Sequence, residues 1–153
     1  MPMTATDRVE KTSVLKAPRS RVWRALTMAD EFGSWFRARL SGTFAAGATL
    51  RGPITYPGYE HLTLEIQVER MEPERYLSFR WHPNAVDPTV DYSSEPTTLV
   101  EFTLEEVKEG TRLTIVESGF DALPPGRRDE AWRSNDGGWS EQMKNVARHV
   151  ESA

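Results

Sequence analysis

The hydrophobic positions of this chain follow two rhythms. Leu62, Leu64, Ile66 and Val68 alternate with Thr63, Glu65 and Gln67, the period of an antiparallel strand with one buried face. The same rhythm returns in Leu77, Phe79 and Trp81, in Val100, Phe102 and Leu104, and in Leu113 and Ile115. "MEPER" turns the chain before the second of these runs, and "VKEGTR" predicts a hairpin turn with Gly110 at its tight position. Residues 82–97 carry three prolines and read as a long loop.

At the two ends the rhythm changes. Residues 6–16 alternate loosely and predict a first strand closing on Val14 and Leu15. Pro18 suits the first turn of a short helix over 18–27, with Val22, Trp23 and Leu26 inward. A second short helix over 28–36 carries Phe32, Trp35 and Phe36, with Gly33 weakening it. Near the C-terminus, Trp132, Trp139, Met143, Val146 and Val150 share one helical face at roughly 100° per residue. A long helix from about residue 127 is therefore expected, although it must run through Gly137 and Gly138. Each glycine costs about 1 kcal/mol relative to alanine. Gly138 sits beside Trp139, where a missing side chain would allow close approach to a neighbour or a pivot. The other reading is a helix in two halves, the second capped by Asn135 or Asp136.

This order of elements predicts an α+β fold, a curved antiparallel sheet whose open face is covered by the long helix. At 153 residues the chain reads as a single domain over 1–153, with 1–6 a flexible tail. It has no cysteine, which removes disulfides and thiolate metal sites and fits a reducing, cytoplasmic setting. The polar start MPMTATDRVE lacks the apolar core of a secretory leader. No apolar run approaches the ~20 residues of a membrane span. A net charge of −4, with acids and bases interleaved, gives no footprint for nucleic acid.

Chemistry is sparsely marked. His61, His82 and His149 show no metal-ligand spacing, and neither a nucleophile elbow nor a phosphate loop is present, so no metal or cofactor is expected. Glu117 keeps the parity of Leu113 and Ile115, which makes it the candidate inward carboxylate, set against the plain reading of a solvated strand end. His61 and Glu65 alternate with aliphatics and face solvent on the simplest reading; Tyr56 and Tyr59 lie near a loop. Arg51, on the strand "TLRGPI", is a candidate to orient a carboxylate, set against the plainer reading of an exposed arginine. Trp35, Phe36, Trp81 and Trp139 fit either packed core or the wall of an apolar pocket, with Met143 as a pliable wall residue.

Four strings, "LKAPRSRVWRALT…F…WF" (15–36), "ERMEPERYLSFRW" (69–81), "EGTRLTIVESGF" (109–120) and "GGWSEQMKNV" (137–146), together resemble the START-like, helix-grip superfamily (SRPBCC). Within it they are similar to the branch named after the C-terminal domain of the heat-shock-protein-90 ATPase activator. The resemblance implies a seven-stranded sheet gripping the C-terminal helix, two short helices closing one side, and a hydrophobic cavity in which the Trp of the Gly-Trp pair lines the wall. The leading expectation is then the binding of a small hydrophobic or amphipathic molecule, a lipid, aromatic polyketide or flavonoid-like compound. Trp35, Phe36, Trp81, Trp139 and Met143 would line the cavity, and Arg51 or Glu117 would orient the ligand. An aromatase/cyclase-like enzyme and a chaperone co-regulator of stress response are the alternatives that the resemblance leaves open.

Overall fold

A computed structural model describes residues 8–83, 91–92 and 94–151. The expected tail over 1–6, and residues 84–90 and 93 of the expected long loop, lie outside the described residues. Six strands form one sheet: β1 (Arg8–Leu15), β2 (Thr49–Pro53), β3 (Thr63–Glu72), β4 (Tyr76–Trp81), β5 (Thr98–Val107) and β6 (Gly110–Ser118). Their spatial order is β1-β6-β5-β4-β3-β2, and every neighbouring pair is antiparallel. Helices α1 (Arg19–Thr27) and α2 (Ala29–Phe36) follow β1, and α3 (Pro125–Glu151) is the last of the described elements. The alternation read from the sequence gives each central strand one buried face. Leu64, Ile66, Val68, Phe79, Val100, Phe102, Leu113 and Ile115 all point into the core.

The expected seventh strand is reduced to two isolated bridges, Ala38↔Ile54 and Ser41↔Arg51. The segment after α2 does run antiparallel to β2, and the Arg39 amide donates to the Pro53 carbonyl. Pro53 has no amide hydrogen to return, so a ladder cannot form between the bridges. At Gly52 a Cβ would lie 1.8 Å from the Arg39 carbonyl oxygen, so the two segments pass too closely for a side chain. Gly33 has the same role in α2, where an added Cβ would stand 2.1 Å from the Ala38 oxygen. The residue that weakens the helix in the sequence is the one that lets the chain fold back over it.

Helix α3 is continuous through Gly137 and Gly138 over 27 residues, about 40 Å at 1.5 Å per residue. Ala131, Trp139, Met143, Val146 and Val150 are buried along it. Side chains fasten it at intervals. The Trp132 indole donates to the Arg8 carbonyl at 2.9 Å, Lys11 pairs with Asp136 at 3.0 Å, and Gln142 donates to the Phe36 carbonyl at 3.3 Å. Beyond the adjoining residues and backbone of α3 itself, no atom lies within 4 Å of a Cβ built at Gly137 or Gly138. The close-approach reading of Gly138 is therefore corrected: both glycines border open space.

Where α1, α2 and α3 meet, Glu31 accepts hydrogen bonds from Arg21 at 2.5 Å and His149 at 3.0 Å. Burial raises the Glu31 pKa, but the His149 and Arg21 hydrogen bonds and the charges of Arg21 and Arg24 outweigh it and hold the group below its ordinary value. This junction fixes α2 against α3 and so positions Phe36, the last residue of α2.

Candidate functional site

The site grows from one strand position. Because β6 alternates strictly, Glu117 enters the interior with Leu113 and Ile115, and its residue is fully buried. Its carboxylate accepts four hydrogen bonds. Oε1 takes the Asn135 amide at 2.8 Å and the Trp139 indole at 2.8 Å. Oε2 takes the Trp81 indole at 2.7 Å and the Thr98 hydroxyl at 2.5 Å. A carboxylate offers roughly four lone-pair directions, and an indole can only donate. Both oxygens are thus saturated, by donors that are all neutral. Among the described residues no Lys, Arg or His forms an ion pair with Glu117. Burying a charge costs far more than burying a neutral group unless hydrogen bonds replace its water shell. Hydrogen bonds to charged groups contribute about 1.5–3 kcal/mol each, and four of them serve that purpose here.

The carboxylate also arranges the rings. Trp81 ends β4 opposite Thr98 of β5, while Asn135 and Trp139 stand one turn apart on α3. Drawn to one acceptor, the two indoles stack with centroids 5.6 Å apart and planes 27° from parallel. Phe36 closes on both, 5.9 Å from Trp81 and 6.2 Å from Trp139. Between these rings and α3 opens a pocket of ≈ 160 Å³. Phe36, Trp81 and Trp139 form its walls, Ser134, Asn135 and Gln142 its polar rim, and Gly138 a gap on the helix side.

The chain beyond Trp81 is tied to the start of α3. Arg127 donates to the Pro83 carbonyl at 2.6 Å, pairs with Glu95 at 3.2 Å, and lies 4.7 Å from the Tyr92 ring centre.

Of the residues singled out in the sequence, the structure brings Phe36, Trp81, Trp139 and Glu117 together. The solvated reading of Glu117 is overturned. Trp35 is 3 % exposed with its indole donating to the Ala25 carbonyl, so it packs as core beside Phe36 and does not reach the pocket. Met143 is buried one helical turn beyond Trp139 and likewise stands outside the lining. Of the two readings of Arg51, the structure shows the exposed one, and it is no orienting group for this pocket. Its position on β2 alternates with buried Leu50, so it faces solvent and pairs with Glu65 at 3.5 Å, both side chains largely exposed. His61 is exposed as well. The sequence reading missed Thr98 as a partner and gave Asn135 only a capping role. Asn135 carried a usable signal, four residues before Trp139 on a helix; Thr98 carried none, because its place depends on strand register.

The geometry defines an α+β protein in which an open antiparallel sheet is covered by a long C-terminal helix, with an aromatic pocket at their junction. The family profile of activator of Hsp90 ATPase homolog 1-like proteins matches residues 16–151, and the chain belongs to that family. Its fold is similar to that of protein MLL2253 from Mesorhizobium loti, at 24% identity and a TM-score of 0.74 over 94% of this chain and 96% of that one. It is also similar to DynU16, a protein of the dynemicin biosynthetic locus, at 27% identity and a TM-score of 0.73 over 95% of this chain. There the chain spans about half, 48%, of the longer protein. The Aha1 dimer from Colwellia psychrerythraea is similar at 17% identity and a TM-score of 0.70, over 94% of this chain and 96% of that one. No curated protein sequence matches significantly.

Proposed function

We propose that the protein binds a small apolar or amphipathic molecule, about one ring in size, in the pocket between the sheet and α3. The observation carrying this reading is the pocket itself: three aromatic walls, a polar rim, and a helix side left open by Gly138. That combination of apolar wall and few polar groups suits ligand recognition. Its size narrows the candidates. At ≈ 160 Å³ it falls below the roughly 300–1,000 Å³ of sites for drug-sized ligands. An apolar cavity of about 150 Å³ takes one benzene. A long acyl chain, a flavonoid or a multi-ring polyketide therefore exceeds it, and a single ring or compact headgroup fits.

The other two readings find less support. A general acid or base needs a free position toward its substrate, and both Glu117 oxygens are filled by protein donors. A chaperone co-regulator would use an exposed apolar patch. The large exposed apolar side chains among the described residues are Val14, Met28, Tyr56 and Tyr59, of which Tyr56 and Tyr59 form a ring pair.

The test uses thermal melting in the presence of single-ring fragments. A fragment that binds only the folded protein raises the melting temperature by mass action. Gly138→Leu points a side chain into open space at the pocket and removes an interior helix glycine, so it fills the site without an expected loss of fold. Stabilisation of the parent by monocyclic fragments, absent in Gly138→Leu, supports the reading. An equal response in both proteins refutes it.

A further inference from the structure

We infer that the ligand of this pocket carries a positive charge: a substituted ammonium or a protonated single-ring base, seated against Trp81 and Trp139 with Glu117 as its counter-charge. The inference rests on the pocket reading above and specifies its ligand class.

Three observations converge on it. First, Glu117 is a fully buried carboxylate whose partners are two indoles, an amide and a hydroxyl. Its charge is solvated by dipoles but not cancelled by a cation. At a fully buried position such a charge is less screened than at the surface and acts over several ångströms. Asn135, Trp81 and Trp139 each touch the carboxylate and line the pocket, so one layer of side chain separates anion from ligand.

Second, the same hydrogen bonds tune the rings. An indole N–H donating to an anion is polarised, which moves electron density into the ring system. A cation is attracted to the negative face of an aromatic ring, most strongly for tryptophan and more so when desolvated. Here both tryptophans of the pocket donate to one carboxylate, at 2.7 and 2.8 Å, and Phe36 adds a third ring.

Third, among the described residues the pocket lining holds no Lys, Arg or His. A fatty-acid carboxylate or a phosphate would find only the neutral donors of Ser134, Asn135 and Gln142 there and no counter-charge, since Arg51 is committed to the exposed face. A cation meets no like charge in the lining, while an anion would meet the field of Glu117 unaided.

The test compares choline with 3,3-dimethylbutan-1-ol, which has the same shape but carbon in place of the charged nitrogen. Both are titrated into ¹⁵N-labelled protein while the indole N–H signals of Trp81 and Trp139 are followed. Choline is expected to shift both indoles saturably and to bind about tenfold or more tightly than the alcohol. Glu117→Gln keeps the side-chain length and removes the charge; in it the preference should fall to within about threefold. Should that variant fail to fold, the parent protein still decides through the two probes. If the neutral alcohol binds as well as choline, or if phenol shifts the indoles and choline does not, the charge inference is overturned and the pocket reading survives. If choline, the alcohol and phenol all leave both indoles unmoved, both readings fall together.

Discussion

Truncating Glu117 to alanine would strand the buried Trp139 indole N–H and Thr98 hydroxyl, and leave the part-buried Trp81 indole and Asn135 amide without their acceptor. Each buried donor left without an acceptor costs about 1–3 kcal/mol. We therefore expect Glu117→Ala to lower the unfolding free energy by more than about 3 kcal/mol, read as a fall in the urea midpoint. Glu65→Ala, at an exposed pair with Arg51, should stay within about 0.5 kcal/mol. Equal effects at the two positions would mean that Glu117 is not the centre of a buried network. The inward direction of Glu117 was legible in the sequence, because parity along β6 settles which face a residue takes. Its partners were not. Trp81 and Thr98 meet it only because β4, β5 and β6 pair in one particular register, and nothing local specifies that. Arg51 shows the converse: its alternation with Leu50 was readable, and points it outward.

Helix α3 persists through two glycines because its buried stripe compensates for them. Trp139, Met143, Val146 and Val150 are all buried, and burying a large side chain yields about 1.5–3 kcal/mol, against about 1 kcal/mol lost per glycine. A Cβ at Gly137 or Gly138 meets no neighbouring atom, so each alanine variant should gain about 0.5–1 kcal/mol in chemical denaturation. The two should differ in function: Gly137→Ala leaves the pocket unchanged, whereas Gly138→Ala places a methyl at its edge and should weaken fragment binding. A second element-scale prediction concerns the helix junction. The Glu31 pKa is held below its ordinary value of 4.5, so its ionised form stabilises the fold at pH above 4.5 and that contribution fades as pH falls through the lowered folded value. In Glu31→Gln the contribution is missing. The stability gap between the two proteins, measured by urea denaturation from neutral pH to about 3, should be widest at the neutral end and close on acidification. A gap independent of pH would exclude the ionised Glu31 as its source. Helices and strands were legible here from period alone. The seventh strand was not, because the missing amide hydrogen of Pro53 and the close pass at Gly52 matter only once the segment 37–42 lies beside β2.

Among the described residues, sheet and helix bury a continuous apolar core, and a pocket opens at its aromatic edge. Phe32, Phe79, Phe102 and Phe120 are fully buried, and the aromatic chain from Phe32 through Phe36 leads to the Trp81–Trp139 stack. The pocket lies where that chain meets α3, with a buried negative charge behind it. Family membership sets the fold; the proposed ligand is argued from this pocket's volume, rings and charge. The most direct test is a titration of the ¹⁵N-labelled protein with phenol as a single-ring probe. The account expects saturable shifts at the Trp81 and Trp139 indoles and the Gly138 amide, with the Trp35 indole, bound to the Ala25 carbonyl, unmoved. Still indoles at Trp81 and Trp139, with shifts confined to the exposed Tyr56 and Tyr59, would contradict it.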